Sequence, residues 1–462
     1  MKHYEKYQCV DQRWVKSIPS HWEFFRLKRI FAQRVEKNDP IITENILSLT
    51  AKQGVVPYAE KEGSGGNKPK GDMTQYNIAR PNDLLVNCMN IVAGSAGVSR
   101  YFGAISPVYY ALYPRLDCNV WYYHYLFRLM PFQRSLIGLG KGILMHESES
   151  GALNTVRMRI SMDYLGNVNL PIPPRDEQDQ IVRYLDWQVS KINRLISAKR
   201  KQITVLQEQL KHCISDTVFR GISDDIILKD SGVEWIGTIP EHWSVIRCKY
   251  VFAERDECSI AGEEEHLSMS QKYGLVPDAK LDERRMLSES YAGGKICYKD
   301  DLVLNRLKAH LGVFALSPQK GVVSPDYTVL VPNTERILPA YGEAVLKSDL
   351  CRRELRIRVR GIIEGFWRLY TDDFNTVVIP LPPLKEQEQI MEYLNTLNGK
   401  FTALKQNLEQ EIATLQDLRT CLISDVVTGQ MDVRSIEVPE FEYVGEVTEA
   451  NEVELEDSEE VD

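Results

Sequence analysis

The chain lacks any apolar run near the roughly 20 residues that crossing a bilayer requires. Its first ten residues, MKHYEKYQCV, lack the apolar core of a secretory leader. Its nine cysteines are odd in number and no two form a CxxC pair, which argues against both a zinc ribbon and a disulfide framework. A reducing cytoplasm is the compartment this implies. There is no GxxxxGK(S/T) phosphate loop and no HExxH pair, and GSAGV at Gly94–Val98 is too short to be a dinucleotide fingerprint. Pro325 and Asp326 suggest a nuclease acid, but no lysine-and-acid companion accompanies them. No catalytic residue and no metal ligand is assigned on this basis. Lysine and arginine are also missing from Glu437–Asp462, a stretch with twelve acidic residues. Such a segment reads as solvated and disordered.

That tail hides the charge of the rest. The whole chain carries −9, yet without the tail it carries +3, and Met1–Leu170 alone carries +7. Asp225–Ile379 is nearly balanced, but it gathers Arg352, Arg353, Arg356, Arg358 and Arg360 within nine positions. Such a cluster is either a local field for phosphates or a solvated helix face. At 462 residues, with 43% hydrophobic and 26% charged content, the chain is an ordinary globular one, too long for a single core.

An internal repeat organises it. IPSHWEFFRLKRIFAQR (Ile18–Arg34) matches IPEHWSVIRCKYVFAER (Ile239–Arg255) at nine of 17 positions. DLLVN at Asp83 matches DLVLN at Asp301, SPVY at Ser106 matches SPDY at Ser324, and PIPPRDEQDQIVRYL (Pro171–Leu185) matches PLPPLKEQEQIMEYL (Pro380–Leu394). The order is kept while the offset shrinks from 221 to 209, so this is a tandem duplication rather than a solenoid.

Each copy opens with short Val-, Ile-, Tyr- and Phe-rich runs broken by turn residues, the pattern of an α+β domain with a few helices such as WYYHYLFRLMPFQRSL. A long stretch with helical spacing follows, and in the first copy, over Arg175–Arg220, it contains neither glycine nor proline. In the first copy its apolar positions are Ile181, Leu185, Val189, Ile192, Ile196, Ile203, Leu206, Leu210 and Cys213. In the second they are Ile390, Leu394, Leu397, Phe401, Leu404, Leu408, Ile412, Leu415, Leu418 and Leu422. Steps of three and four mark a coiled-coil seam, and 46 residues span roughly 69 Å of helix. Each helix is the obvious partner of the other. The expected layout is a globular domain over residues 1–172, a long helix over 173–222, a second domain over 223–381, a second helix over 382–430 and a disordered acidic tail over 431–462.

At PIPPRDEQDQI and PLPPLKEQEQI the chain resembles the specificity (S) subunits of type I restriction–modification systems. The mark is P-PP-x-x-EQ opening a long helix, carried by Pro171, Pro173, Pro174, Glu177 and Gln178 and again by Pro380, Pro382, Pro383, Glu386 and Gln387. SDVVTGQMDVR at Ser424–Arg434 is similar to the family's close of its second helix. The resemblance implies two target-recognition domains, each reading half of a split, asymmetric site on double-stranded DNA. It also implies two long helices that pair as an antiparallel coiled coil and set the gap between the halves. Two methyltransferase subunits, using S-adenosylmethionine on adenine, would dock on the helical regions. Two restriction subunits with ATP and Mg2+ would complete a nuclease. The chain itself would hold no cofactor, do no chemistry and stay off membranes. An alternative is a coiled-coil assembly subunit of another DNA-modification or phage-defence complex, with no sequence reading of its own.

Where the copies agree, scaffold is expected; where polar loops diverge, readout is expected. Trp22 and Trp243 read as core or docking anchors, and His21 and His242, with no acidic partner at useful spacing, as structural. Candidate DNA contacts in the divergent loops are Lys61, Asn67, Lys68 and Lys70 in the first copy and Arg284 and Arg285 in the second. A second variable patch adds Asn90 and Arg100 in the first copy and Arg306, Lys308 and His310 in the second, while Asn87 and Asn305 correspond and read as structural or as a common contact to the DNA backbone. Arg134 and Arg353 lie in matching helices and suit phosphates better than bases. For partner docking and the coiled coil the residues are Pro173, Pro174, Glu177, Gln178, Ile181, Leu185, Pro382, Pro383, Glu386, Gln387, Ile390 and Leu394.

Overall fold

Four consecutive apolar or amide side chains after an aspartate, LLVN and LVLN, can be buried only in the middle of a sheet. In the computed structural model, Leu84–Asn87 and Leu302–Asn305 are such strands. The structure describes residues 2–50, 54–61, 71–142, 146–147, 153–154, 158–223, 225–270, 273–278, 291–361 and 367–445. In the first repeat the sheet order is Phe31–Gln33, Tyr109–Pro114, Leu84–Asn87, Ala96–Val98, all antiparallel. The second repeat reproduces it as Phe252–Glu254, Tyr327–Pro332, Leu302–Asn305, Phe314–Leu316. The aspartates that open the central strands explain their recurrence. Asp83 accepts from Nε of Arg34 at 2.8 Å and from Nη2 at 2.9 Å, and Asp301 accepts from Arg255 at 2.8 and 3.1 Å. These carboxylates are nearly buried, so the paired arginine fork is what makes them tolerable there.

The divergent loops are not wholly irregular. The segment between Pro57 and Asp83 contains the strand Asn77–Ala79, and that between Pro277 and Asp301 contains Lys295–Cys297. The aromatic run read as one helix forms two, Val120–Phe127 and Met130–Ser135, because Pro131 can only start a helical turn there. The matching pair is Pro339–Lys347 and Asp349–Arg358.

The two long helices are Arg175–Arg220 and Leu384–Val427, close to the expected spans. Compactness does not follow the repeats, however. One unit is Met1–Arg200 with Glu409–Asp462, and the other is Lys201–Leu408. Within the first unit, Lys199 pairs with Glu411, and Arg419 Nη1 donates to Asn193 Oδ1 at 2.9 Å. The lower number on one helix meets the higher on the other, which is antiparallel pairing. Within the second unit, Val218 and Phe219 share a core with Ile390 and Leu394, in the same sense. Each unit therefore holds one recognition domain, the start of its own helix and the end of the other repeat's helix.

The seam is buried at Ile181, Leu185, Val189, Ile192 and Ile196 and at Ile390, Leu394 and Ile412. Two expected seam positions fall outside it: Leu404 is 49% exposed and Leu418 52%. A 3.6-residue turn drifts against a seven-residue pattern, and at that point Arg419, bonded to Asn193, takes the inner place instead of Leu418.

Candidate nucleic-acid interface

Pro173 and Pro382 end the strands Asn169–Ile172 and Val378–Leu381, since proline has no N–H to extend the ladder. The carbonyl of Pro174 then accepts from Glu177 and Gln178 N–H, and that of Pro383 from Glu386 and Gln387, which starts each helix. The glutamine closes the corner. Gln178 accepts from Asn119 N–H at 2.8 Å and donates to the Pro173 carbonyl at 2.8 Å. Gln387 likewise accepts from Leu338 N–H at 2.7 Å and donates to the Pro382 carbonyl at 2.9 Å.

The glutamate does more in the first copy. Buried Glu177 accepts from the Tyr4 hydroxyl at 2.5 Å and from Trp22 Nε1 at 3.0 Å, and its other oxygen lies 2.8 Å from His21 Nε2. Burial, and then the bond to Glu177, push the Tyr4 phenol far above its ordinary value, so Tyr4 stays a donor. In the second copy Glu386 meets His242 at 2.8 Å, but buried Trp243 Nε1 has no partner among the described residues. The histidines thus do have acidic partners, 156 and 144 residues away, which correction no local spacing reveals. Glu177, Gln178, Gln387, Ile181, Leu185, Ile390 and Leu394 are all buried within their own unit. Glu177, Gln178 and Gln387 fasten helix to domain, while Ile181, Leu185, Ile390 and Leu394 lie in the seam against the end of the other long helix. Pro173 and Pro382 are buried as well, and only Pro174 and Pro383 of the signature prolines are exposed.

The far ends of the helices are held in matching ways. Tyr122 OH donates to the Val427 carbonyl at 2.8 Å, and Tyr341 OH to that of Val218 at 3.0 Å. Beyond Val427 the chain is not free, as was expected of residues 431–462. Its described part, to residue 445, lies along the first long helix. Gln180 donates to the carbonyls of Val433 and Ile436, Arg183 to Val438 and Asn193 to Val444, while Val444 N–H donates to Ser190 Oγ. Met431, Val433 and Val438 are buried. Only residues 446–462 of the acidic tail lie outside the described residues. Ending the chain after Arg434 removes Val438 and the caps on Asn193 and Ser190, at a cost of about 2 kcal/mol from the apolar burial. Hydrogen exchange over residues 183–196 is expected to accelerate roughly tenfold or more, while a chain ended after residue 445 exchanges like the full one. Equal exchange in the two truncations would reject the packing role.

The expected DNA contacts are scattered in standing. Asn67, Lys68, Lys70, Arg284 and Arg285 lie outside the described residues, as does the side chain of His310. Lys61 sits 5.8 Å from the centre of the Tyr58 ring. Asn90 and Lys308 open matching single turns, Ile91–Ala93 and Ala309–Leu311, and both are exposed. Arg100 is exposed and lies over the Trp121 ring at 5.1 Å. Arg134 and Arg353 occupy matching short helices and are exposed. Arg306 donates to Thr328 Oγ1 at 2.8 Å and stands 3.7 Å from Glu254. The arginine run is partly neutralised as well. Arg352 pairs with Asp349, Arg358 with Glu354 and Arg360 with Asp373, which leaves less field than the sequence suggests. Asn87 and Asn305 each accept from the N–H two residues on, which gives them a structural role in both repeats. Among the described residues no cluster suits a metal ion, and no helix is long and apolar enough to cross a membrane.

Comparison with known proteins matches this arrangement. The profile of the family described as type I restriction modification DNA specificity domain matches residues 19–205 and 285–414. The type I restriction enzyme MjaVIII specificity subunit of Methanocaldococcus jannaschii is 24% identical over 283 residues, 58% of this chain and 64% of that one. A second protein of the same organism is 23% identical over 290 residues, 60% of this chain and 62% of that one. The match thus spans less than two thirds of either curated relative. A chain solved in work on complex assembly and conformational transition of the type I R-M system shares the fold. Its TM-score is 0.62 at 13% identity, over 90% of this chain and 99% of that one. With two copies of the signature corner and the duplicated α+β frame, the chain belongs to the type I restriction modification DNA specificity domain family.

Proposed function

We propose that this chain is the non-catalytic, sequence-reading subunit of a type I restriction–modification complex, working in the cytoplasm on double-stranded DNA. The carrying observation is one frame built twice, with the same helix corners and loops of different sequence. Duplicated frames suit the twofold backbone of DNA, and unlike loops suit two unlike half-sites, so the target is bipartite and asymmetric. Leu195 and Leu404 stand at matching places on the two long helices, 51% and 49% exposed, which supports two like positions for two methyltransferase subunits. Those partners supply adenine methylation with S-adenosylmethionine, and two restriction subunits using ATP and Mg2+ can join them. This chain holds no cofactor.

The test is co-expression with the neighbouring genes and single-molecule mapping of adenine methylation in host DNA. The expected result is a split, asymmetric motif that vanishes when this chain is omitted. Exchange of residues 278–300 for a relative's loop should change one half of the motif and keep the other. Methylation indifferent to this chain, or none from a soluble complex with an active methyltransferase, would favour the assembly role instead.

A further inference from the structure

We infer that a basic cleft in the first repeat, lined by Arg26, Lys28, Arg29 and Arg115, grips the DNA phosphate backbone; this rests on the DNA-reading function proposed above. Phe24, Phe25 and Asn169 complete a cleft of about 630 Å³. The backbone fixes its rim. Arg26 pairs with Asn169 across the strands Glu23–Arg26 and Asn169–Ile172, and the chain then enters the turn Leu27–Ile30. Leu27 N–H donates to the Val168 carbonyl at 2.8 Å, Lys28 N–H to Gly166 at 3.0 Å and Arg115 N–H to Ile30 at 2.8 Å. The Arg29 guanidinium lies 3.7 Å above the Phe25 ring, which holds it without neutralising it.

Charge is what sets this cleft apart. All four cations are exposed, no carboxylate lines the cleft, and none of the four is in an ion pair among the described residues. Other exposed arginines of the same unit do pair, Arg80 with Glu36 and Arg175 with Asp117. In a chain with 65 acidic and 56 basic residues, four unpaired cations around one hollow form a single-sign field suited to a polyanion.

The second repeat keeps the frame. Ser244–Arg247 pairs with Val378–Leu381, Cys248 N–H donates to Val377 at 2.8 Å, and Asn333 N–H donates to Val251 at 2.8 Å. Arg247 and Lys249 hold the places of Arg26 and Lys28, while Tyr250 and Asn333 stand where Arg29 and Arg115 do. A contact present in both repeats cannot distinguish two different half-sites, but phosphates are the same in each. Two copies of one protein partner would demand equal surfaces, whereas DNA accepts four cations on one side and two on the other.

Each phosphate contact contributes about 0.9 to the slope of log affinity against log salt. In the complex assembled with its methyltransferase, R26Q/R29Q/R115Q is expected to lower that slope by about 2.7. Affinity should fall on specific and scrambled duplexes alike, with the methylation motif unchanged. R247Q/K249Q should lower the slope by up to about 1.8. All these side chains are exposed, so the thermal midpoint should hold, and a melt verifies it. An unchanged slope in both folded variants overturns the inference. So does loss of the methyltransferase at an unchanged slope, which makes the cleft a protein-docking surface. If the unaltered complex reads no motif, the function proposed above has failed; if it reads one and the slopes do not move, only this inference has.

Discussion

Glu177→Ala is expected to destabilise the first unit by about 4 kcal/mol, and the matching Glu386→Ala by about 1 kcal/mol or less. Each buried donor left without an acceptor costs about 1–3 kcal/mol. Glu177 accepts from two buried donors, Tyr4 OH and Trp22 Nε1, and both would be orphaned together. Glu386 is 21% exposed and its partner His242 is 51% exposed, so water can replace that bond. Trp243 Nε1 already lacks a partner among the described residues and loses nothing. Unfolding of two units need not be one transition. Hydrogen exchange resolved along the chain is therefore the right measurement, with residues 2–26 and 240–250 compared in the two variants. Equal acceleration at the two corners would show that the hydrogen bonds to Glu177 do not carry the difference.

The second large effect concerns two glycines with the same job. Gly429 and Gly221 end the long helices at φ +72° and +84°, where a side chain costs about 1–2 kcal/mol. A Cβ on Gly221 would find its nearest atoms, of Glu386 and Trp243, at 3.5 Å, an ordinary contact. On Gly429 it would lie 2.9 Å from the Trp22 ring and closer still to the Pro19 ring, both rigid. Overpacking adds about 1–3 kcal/mol. Gly429→Ala is therefore expected to lose about 3–4 kcal/mol and Gly221→Ala about 1 kcal/mol. Denaturant midpoints for the two variants check this. Similar shifts would mean that the Pro19–Trp22 wall yields, and the packing argument would fall.

Much of the architecture can be read from residue order. LLVN and LVLN are strands, the long proline-free stretches with apolar steps of three and four are the long helices, and the EQ corners sit at their starts. Local pattern is enough there, because burial on both faces or along one stripe leaves its period in the chain. The candidate interface was less legible. Arg306 lies in a divergent patch of the sequence, and only the fold brings it to Thr328 and Glu254, remote in sequence. Arg26 and Lys28 lie where the repeats agree, and agreement in sequence marks a core residue and a shared contact alike. Their match in Arg247 and Lys249 was the available signal, since a phosphate contact is repeated just as a core residue is. The acidic tail was read from composition, which is blind to the few apolar residues, Val433 and Val438, that anchor its start.

By itself the sequence determined the duplication, the element types and the family, because repeated motifs and apolar periods are properties of residue order. Only the tertiary structure decided which carboxylate meets which histidine, which leucines leave the seam and how the chain divides into compact units. The physical reason is antiparallel pairing. It joins the start of one helix to the end of the other, so the contacts that matter most link residues such as Asn193 and Arg419, 226 positions apart. No local spacing encodes a partner at that distance; packing selects it.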